Sequence, residues 1–219
     1  MKSLSISLLA LLLFTGCVNS LAQSGDHAFA ALPAPKTGEK LATFAGGCFW
    51  SLSEGMSELK GVNKVVAGYA GGSVKNPTYQ DVCTRTTGHA ESVQVYYDPS
   101  VINYATLAEA FFYAHDPTTL NRQGPDQGTD YRSAAFYRTA EEKKTLEAVI
   151  AKVNAAGHYP NPIVTQVAPY TVLYPAEIYH QGYYRTHMDE PYIRAVSAVK
   201  VMKLRKAMSD LIKPEFKSK

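Results

Sequence analysis

Lys40-Leu41-Ala42-Thr43-Phe44-Ala45-Gly46-Gly47-Cys48-Phe49-Trp50-Ser51-Leu52-Ser53-Glu54-Gly55-Met56-Ser57-Glu58-Leu59 is the stretch from which the fold is read. Residues 41–45 are a short apolar run ending in two glycines, the pattern of a buried strand closing on a tight turn. From Cys48 onward Phe49, Leu52, Met56 and Leu59 recur at spacings of three and four, so one face of a helix is apolar. Strand therefore feeds helix across Gly46-Gly47, and Cys48 sits at the junction.

Outward from that unit the pattern alternates. Residues 62–70 read as a strand turning at Gly71-Gly72, and 90–97 as another with Glu91, Val93, Val95 and Tyr97 on one face by the two-residue period. Asn103 caps a helix through Ala114, whose inner positions include Leu107 and Phe111. Pro117, Gly124, Pro125 and Gly128 make residues 114–130 a loop. A strand is expected at 133–137. Thr139 with Glu142 has the form of a capping box, and the stripe Leu146, Val149, Ile150, Val153 stops at Gly157. Residues 163–167 are a further strand candidate. Pro191 opens a basic C-terminal helix carrying Ile193, Val196, Val199 and Met202, and its lysines from Lys200 onward read as a solvated face. Strands interleaved with helices imply an α/β (α+β, two-layer) domain around a mixed sheet.

With 219 residues the chain suits one domain plus a small appendage. Its 46% hydrophobic and 19% charged residues exclude disorder and a polytopic membrane protein. The +3 balance is spread along the chain and demands no nucleic acid. Three cysteines without a C-x-x-C pair are too few for a disulfide framework or a four-thiolate zinc site, and no metal is expected. At the N-terminus Lys2 precedes an apolar run over residues 4–14, too short to span a bilayer and proportioned like a signal-peptide core. It ends in Leu13-Phe14-Thr15-Gly16-Cys17, which resembles a bacterial lipobox in which Cys17 is acylated; ordinary cleavage near Ala22 is the alternative. The expected organisation is a signal peptide at 1–16, a lipidated tether at 17–39 and a domain at 40–213, extracytoplasmic, membrane-anchored and monomeric.

A cysteine at the first turn of a helix meets the positive end of the helix dipole, which favours thiolate. The alternative fate of such a residue is packing as a small hydrophobe. Gly47-Cys48-Phe49-Trp50, Gly68-Tyr69-Ala70-Gly71-Gly72, Asn76-Pro77-Thr78-Tyr79 and Gly88-His89-Ala90-Glu91 are similar to motifs of the peptide methionine sulfoxide reductase A family. His115-Asp116-Pro117, Asn121-Arg122-Gln123-Gly124, Asp126, Tyr131-Arg132-Ser133, Pro175-Ala176-Glu177 and Tyr179-His180-Gln181 follow in the same order, over about residues 40–190.

The resemblance implies a ferredoxin-like sheet and helix layer, no bound cofactor, and reduction of methionine (S)-sulfoxide, free or in proteins. It makes Cys48 the nucleophile that is left as a sulfenic acid, Phe49 and Trp50 the pocket for the substrate methyl, and Glu91 the proton donor to the sulfoxide oxygen. Tyr79 and Tyr131 become its hydrogen-bond partners, and Asp126 supports the site through water. Many members carry resolving cysteines near the C-terminus that pass a disulfide to thioredoxin; here no cysteine follows Cys83. Cys83 as resolver and direct reduction by an external, thioredoxin-like thiol are the two options, and the second is favoured. Ser51-Leu52-Ser53-Glu54 departs from the family's more usual Gly-x-Glu after the tryptophan.

Elementary chemistry asks for the same parts. A sulfoxide oxygen leaves poorly unless protonated, so a sulfur nucleophile needs a neutral acid beside it. If the strand face of Glu91, Val93 and Val95 points inward, desolvation keeps that carboxyl protonated near neutrality. His89-Ala90-Glu91 matches half of a zinc-deaminase signature whose P-C-x-x-C half is absent. A thiol hydrolase would need His89 or His115 as a base. A non-enzymatic lipoprotein binding oxidised peptides through an aromatic patch is the remaining rival, and it predicts no loss of activity on replacing Cys48.

Overall fold

The computed structural model describes residues 28–217. The chain runs β1 (Lys40–Gly46), α1 (Phe49–Ser57), β2 (Val62–Ala70), a short α2 (Tyr79–Cys83), β3 (Ala90–Tyr97) and α3 (Tyr104–Tyr113). A small ribbon follows, β4 (Arg122–Gln123) with β5 (Asp126–Gln127), then β6 (Ser133–Tyr137), α4 (Ala140–Ala155), β7 (Gln166–Pro169), β8 (Leu173–Pro175) and α5 (Tyr183–Thr186). A π-helical turn at Ile193–Ser197 leads into α6 (Ala198–Ala207).

Among the described residues six strands form one sheet in the order β7-β6-β1-β3-β2-β8. All pairs are antiparallel except β6 with β7, so the sheet is mixed as expected. The unit β1-α1-β2-β3-α3-β6, with spatial order β6-β1-β3-β2, is a ferredoxin-like split βαβ. Alternation decides which residues meet the helices. Phe44, Val93, Val95 and Tyr97 join Phe49, Leu52, Met56 and Phe111 in the main core. Ala45, Ala70, Ala90, Ala134, Phe136 and Leu173 form a thinner cluster on the opposite face.

Several local expectations change. Residues 114–130 contain the β4–β5 ribbon, and the strand expected at 163–167 is displaced to Gln166–Pro169, parallel to β6. The capping box at Thr139 is half formed. Thr139 Oγ1 accepts the Glu142 N–H at 3.1 Å, whereas the Glu142 carboxylate accepts the N–H of Arg138 at 2.6 Å. The complete box is at Thr78 and Asp81, opening α2, a helix too short to show periodicity.

The C-terminal stripe also shifts. Ile193, Ser197, Val201 and Leu204 are buried, whereas Val199 and Met202 are 60% and 61% exposed. The π turn inserts one residue, which rotates everything after it by about 100°. Part of the span assigned to the tether lies against the domain. Phe29 bridges Glu177, the Ala30 N–H donates to Ala176 O at 2.9 Å, and the Tyr96 hydroxyl donates to Pro33 O at 2.7 Å. Cys17 and the signal segment lie outside the described residues.

α6 is tied to α1 by an ion pair that burial makes consequential. Glu58 is fully buried, and Arg205 donates to it through Nε and Nη2, each at 2.7 Å. Removing the guanidinium strands a carboxylate in the core, so Arg205→Met should destabilise by about 3–5 kcal/mol. Urea denaturation followed by circular dichroism measures this; a loss under about 1 kcal/mol would mean that the pair is solvated after all.

Candidate active site

Cys48 is the residue before α1, in extended backbone, and is 5% exposed. It is reached by a turn at Gly47, where φ is +80° and an added Cβ would stand 2.5 Å from Gln123 Cγ. Glycine is required there on both counts. Ser51, at the position where the family more usually has glycine, is buried and donates to Cys48 O at 3.1 Å, which fastens the first turn of α1. Glu54, in the same helix, receives Arg185 Nε at 2.7 Å.

Glu91 stands opposite Tyr69 in the β2–β3 ladder, on the inward face with Val93 and Val95. Its Oε2 accepts the Phe49 N–H at 2.9 Å, which places the carboxyl beside the start of α1. Burial is the main cause that pushes its pKa up to about 8, with Asp130 and Asp126 adding to the rise and the Phe49 N–H and Lys200 opposing it. The carboxyl is therefore protonated at neutral pH, as the inward-face condition requires.

The thiol differs from the expectation of a resting thiolate. Burial pushes the Cys48 pKa well above the ordinary thiol range and the Glu91 charge adds to that, against the Trp50 N–H, the Tyr192 hydroxyl and Lys200. A helix dipole is a partial charge, and full desolvation of a sulfur anion outweighs it. The resting pair is thus a thiol beside a carboxylic acid. While Glu91 keeps its proton, its repulsion of the sulfur anion is absent.

Aromatic rings build the rest. Trp50 stacks on Tyr183 at 3.9 Å between centroids and meets the edge of Tyr192 at 6.0 Å. Its indole N–H donates to His180 Nδ1 at 3.1 Å, and the Phe49 ring lies 4.9 Å from the same imidazole. His180 is neutral, its pKa lowered to about 4 chiefly by burial. Tyr79 is fixed through its backbone, whose N–H donates to Glu177 Oε1 at 2.8 Å, while Tyr69 donates its hydroxyl to Oε2 at 2.9 Å. Tyr131 closes the 3-10 turn Thr129–Tyr131 and lies near enough to Glu91 and Cys48 for their charges to raise its pKa, after burial.

The structure brings together Cys48, Phe49, Trp50, Tyr79, Glu91, Asp126 and Tyr131. Asp126 Oδ2 accepts the Tyr192 hydroxyl at 2.7 Å, and Tyr192 lies close enough to Cys48 for the sulfur's charge to raise its pKa, after burial. Cys83 is exposed at the end of α2, close enough to Tyr79 for its charge to raise the phenol's pKa, after burial and Glu91. Both ring nitrogens of His89 serve the loop that follows β2, one on Gly72 N at 3.1 Å and the other on Val74 O at 2.7 Å. Those of His115 serve Phe111 O at 2.9 Å and Ser133 Oγ at 2.7 Å. Neither histidine has a nitrogen left for Cys48, which removes the hydrolase base. Three participants were not singled out from the sequence: Tyr192, Glu177 and His180. The last two lie in the matched motifs Pro175-Ala176-Glu177 and Tyr179-His180-Gln181, whereas Tyr192 is one of fifteen tyrosines with no motif around it.

A buried thiol paired with a protonated carboxyl in an aromatic cleft, on a ferredoxin-like sheet, defines a thiol-dependent oxidoreductase. The profile described as peptide methionine sulfoxide reductase matches residues 40–211. The chain is similar to the peptide methionine sulfoxide reductase MsrA of Thermus thermophilus, 51% identical over 176 residues that span 80% of this chain and 99% of that one. It is similar to MsrA 1 of Rhodopirellula baltica at 48% identity, covering 81% of this chain and 92% of that one. Reduced Mxr1 from Saccharomyces cerevisiae superposes with a TM-score of 0.66 at 34% identity, over 72% of this chain and 91% of that chain. Methionine sulfoxide reductase A of Corynebacterium diphtheriae gives 0.63 at 30%, over 74% and 89%. The chain belongs to the peptide methionine sulfoxide reductase family, and its activity is the reduction of peptide methionine (S)-sulfoxide to methionine.

Proposed function

We propose that this reduction runs by transfer of the sulfoxide oxygen to Cys48. The methyl group enters between Phe49 and Trp50, and the oxygen faces Glu91, with the Tyr79 and Tyr131 hydroxyls as hydrogen-bond donors. Glu91 protonates the oxygen as the Cys48 sulfur bonds to the substrate sulfur, and the Cys48 thiol proton replaces the one Glu91 gives up. The hydroxyl then passes from the substrate sulfur to the Cys48 sulfur as the sulfur–sulfur bond breaks, its electron pair leaving with methionine, so Cys48 holds the oxygen as a sulfenic acid. One thiol of an external reductant then condenses with the sulfenic acid, releasing water. A second thiol frees Cys48 and carries away the disulfide.

The observation that carries this reading is Glu91, buried beside the Cys48 turn with its pKa at about 8. Without that proton the oxygen has no exit. An external thioredoxin-like reductant is supported by the chain's cysteines being Cys17, Cys48 and Cys83, with Cys48 buried and Cys83 exposed. Free methionine sulfoxide is a substrate as well as the peptide form. The resemblance of residues 13–17 to a lipobox supports a membrane-anchored, extracytoplasmic protein that repairs oxidised envelope proteins.

Purified protein given a peptide with both sulfoxide epimers and dithiothreitol should consume the S epimer and leave the R. A mass spectrum taken once reductant is exhausted should show Cys48 as a sulfenic acid that dimedone traps. Consumption of the R epimer would contradict the substrate assignment. A Cys48–Cys83 disulfide would make Cys83 the resolving thiol and remove the external one from that step.

A further inference from the structure

Lys200 lies on the inner stripe of α6, three residues after buried Ser197 and four before buried Leu204, with 13% of its side chain exposed. The reading of this helix as a solvated basic face fails here, since desolvating an ammonium is costly and needs a partner. The partner is Asp126 Oδ2 at 3.4 Å, on the β4–β5 ribbon. The same ammonium borders the Cys48 turn, because a Cβ added to Gly47 would stand 3.6 Å from Lys200 Nζ. The oxygen that holds Lys200 also accepts the Tyr192 hydroxyl at 2.7 Å, and that phenol lies close enough to Cys48 for the sulfur's charge to raise its pKa, after burial.

A phenol has one proton, and here it has two claimants. While Cys48 is a thiol, the phenol proton belongs to Asp126. When the sulfur ionises it becomes the stronger acceptor, and the phenol proton turns to it, which takes a hydrogen bond away from Asp126. Lys200 is the other donor on that oxygen. We propose that Lys200 is a positioning residue of the reductase reaction: by holding Asp126 it releases the Tyr192 hydroxyl to the Cys48 thiolate as attack begins. This rests on Cys48 being the nucleophile and adds the step that lets a buried sulfur become one.

The groups that face Cys48 come from several elements: Glu91 of β3, Tyr131 from the turn before β6, Tyr192 ahead of the π turn, Lys200 of α6 and the Trp50 N–H of α1. The Lys200 charge acts in the favourable direction on the sulfur.

The test measures the rate of iodoacetamide alkylation of Cys48 at one fixed, mildly alkaline pH in the full chain without substrate, resolved by peptide mass so that Cys17 and Cys83 are counted apart. Below the thiol's pKa this rate is proportional to the thiolate fraction. Lys200→Met should slow it about tenfold, and Asp126→Asn should speed it by a similar factor. In a Tyr192→Phe background the effect of Lys200→Met should shrink to less than about half, the mark of a shared pathway. The proposal is overturned if Lys200→Met leaves the rate unchanged or if the two single variants change it in the same direction, as loosened packing would. It is equally overturned if the full effect persists without the phenol. Because no substrate is involved, these outcomes are independent of whether methionine formation itself requires Cys48.

Discussion

Cys48→Ser should form no methionine from the S-sulfoxide, a loss of at least about 10³-fold and bounded by the assay, since removing the nucleophile disables the groups that act with it. The reason is chemical as well as electrostatic. An alcohol oxygen that took up the sulfoxide oxygen would have to form an oxygen–oxygen bond, so no slower version of the same route is open to serine. The substitution is nearly isosteric. Stability should therefore change by no more than about 1–2 kcal/mol. Product quantified by chromatography, with a thermal melt on the same sample, separates lost chemistry from lost fold. Undiminished product would favour the peptide-binding alternative, with Cys48 there for packing.

Glu91→Gln should lower the single-turnover rate at pH 7 by about 10²–10⁴-fold, the span typical of a lost general acid. Glutamine keeps a donor toward the oxygen and has no proton to give. The pH dependence fixes the sign. The carboxyl is raised from 4.5 to about 8 by burial, so the competent acid is present below about 8 and is lost as pH rises through it. The wild-type rate should stop rising on that alkaline side, because the loss of the acid offsets the growing ionisation of the Cys48 thiol, whose pKa is also raised. The two groups interact, so the profile reports the pair.

Stability follows the same direction. A carboxyl that holds its proton more tightly in the fold than in the unfolded chain stabilises fully below 4.5, and that contribution drains as pH rises to about 8. Glu91→Gln should flatten this part of the stability curve. A rate unchanged by the substitution, or a wild-type profile that keeps rising past pH 9, would remove Glu91 as the acid.

What could be read from the chain follows from where each cause lies. The β1–turn–α1 unit is legible because its periodicity changes from two to 3.6 across Gly46-Gly47, and the core residues Phe49, Leu52 and Met56 follow from spacing alone. Glu91 is legible up to one condition, which face of β3 is inward; the sheet settles it through Tyr69 and the cover of α1. The ionisation of Cys48 is not legible, since local sequence shows the dipole and hides the burial that overrides it.

The C-terminal segment is misread for a geometric reason. A π turn at Ile193–Ser197 breaks the α period, so Val199 and Met202 face out and Lys200 faces in. Asp126 and Tyr192 are 66 residues apart and meet only because that segment folds back over the β4–β5 ribbon. No spacing rule connects them.

The most direct test is a single turnover without reductant, in which equimolar enzyme and S-sulfoxide peptide are quenched and the Cys48 peptide is weighed. Oxygen transfer predicts one methionine formed for each Cys48 that becomes one oxygen heavier, with Cys83 unchanged. Methionine appearing while Cys48 remains an unmodified thiol would contradict it.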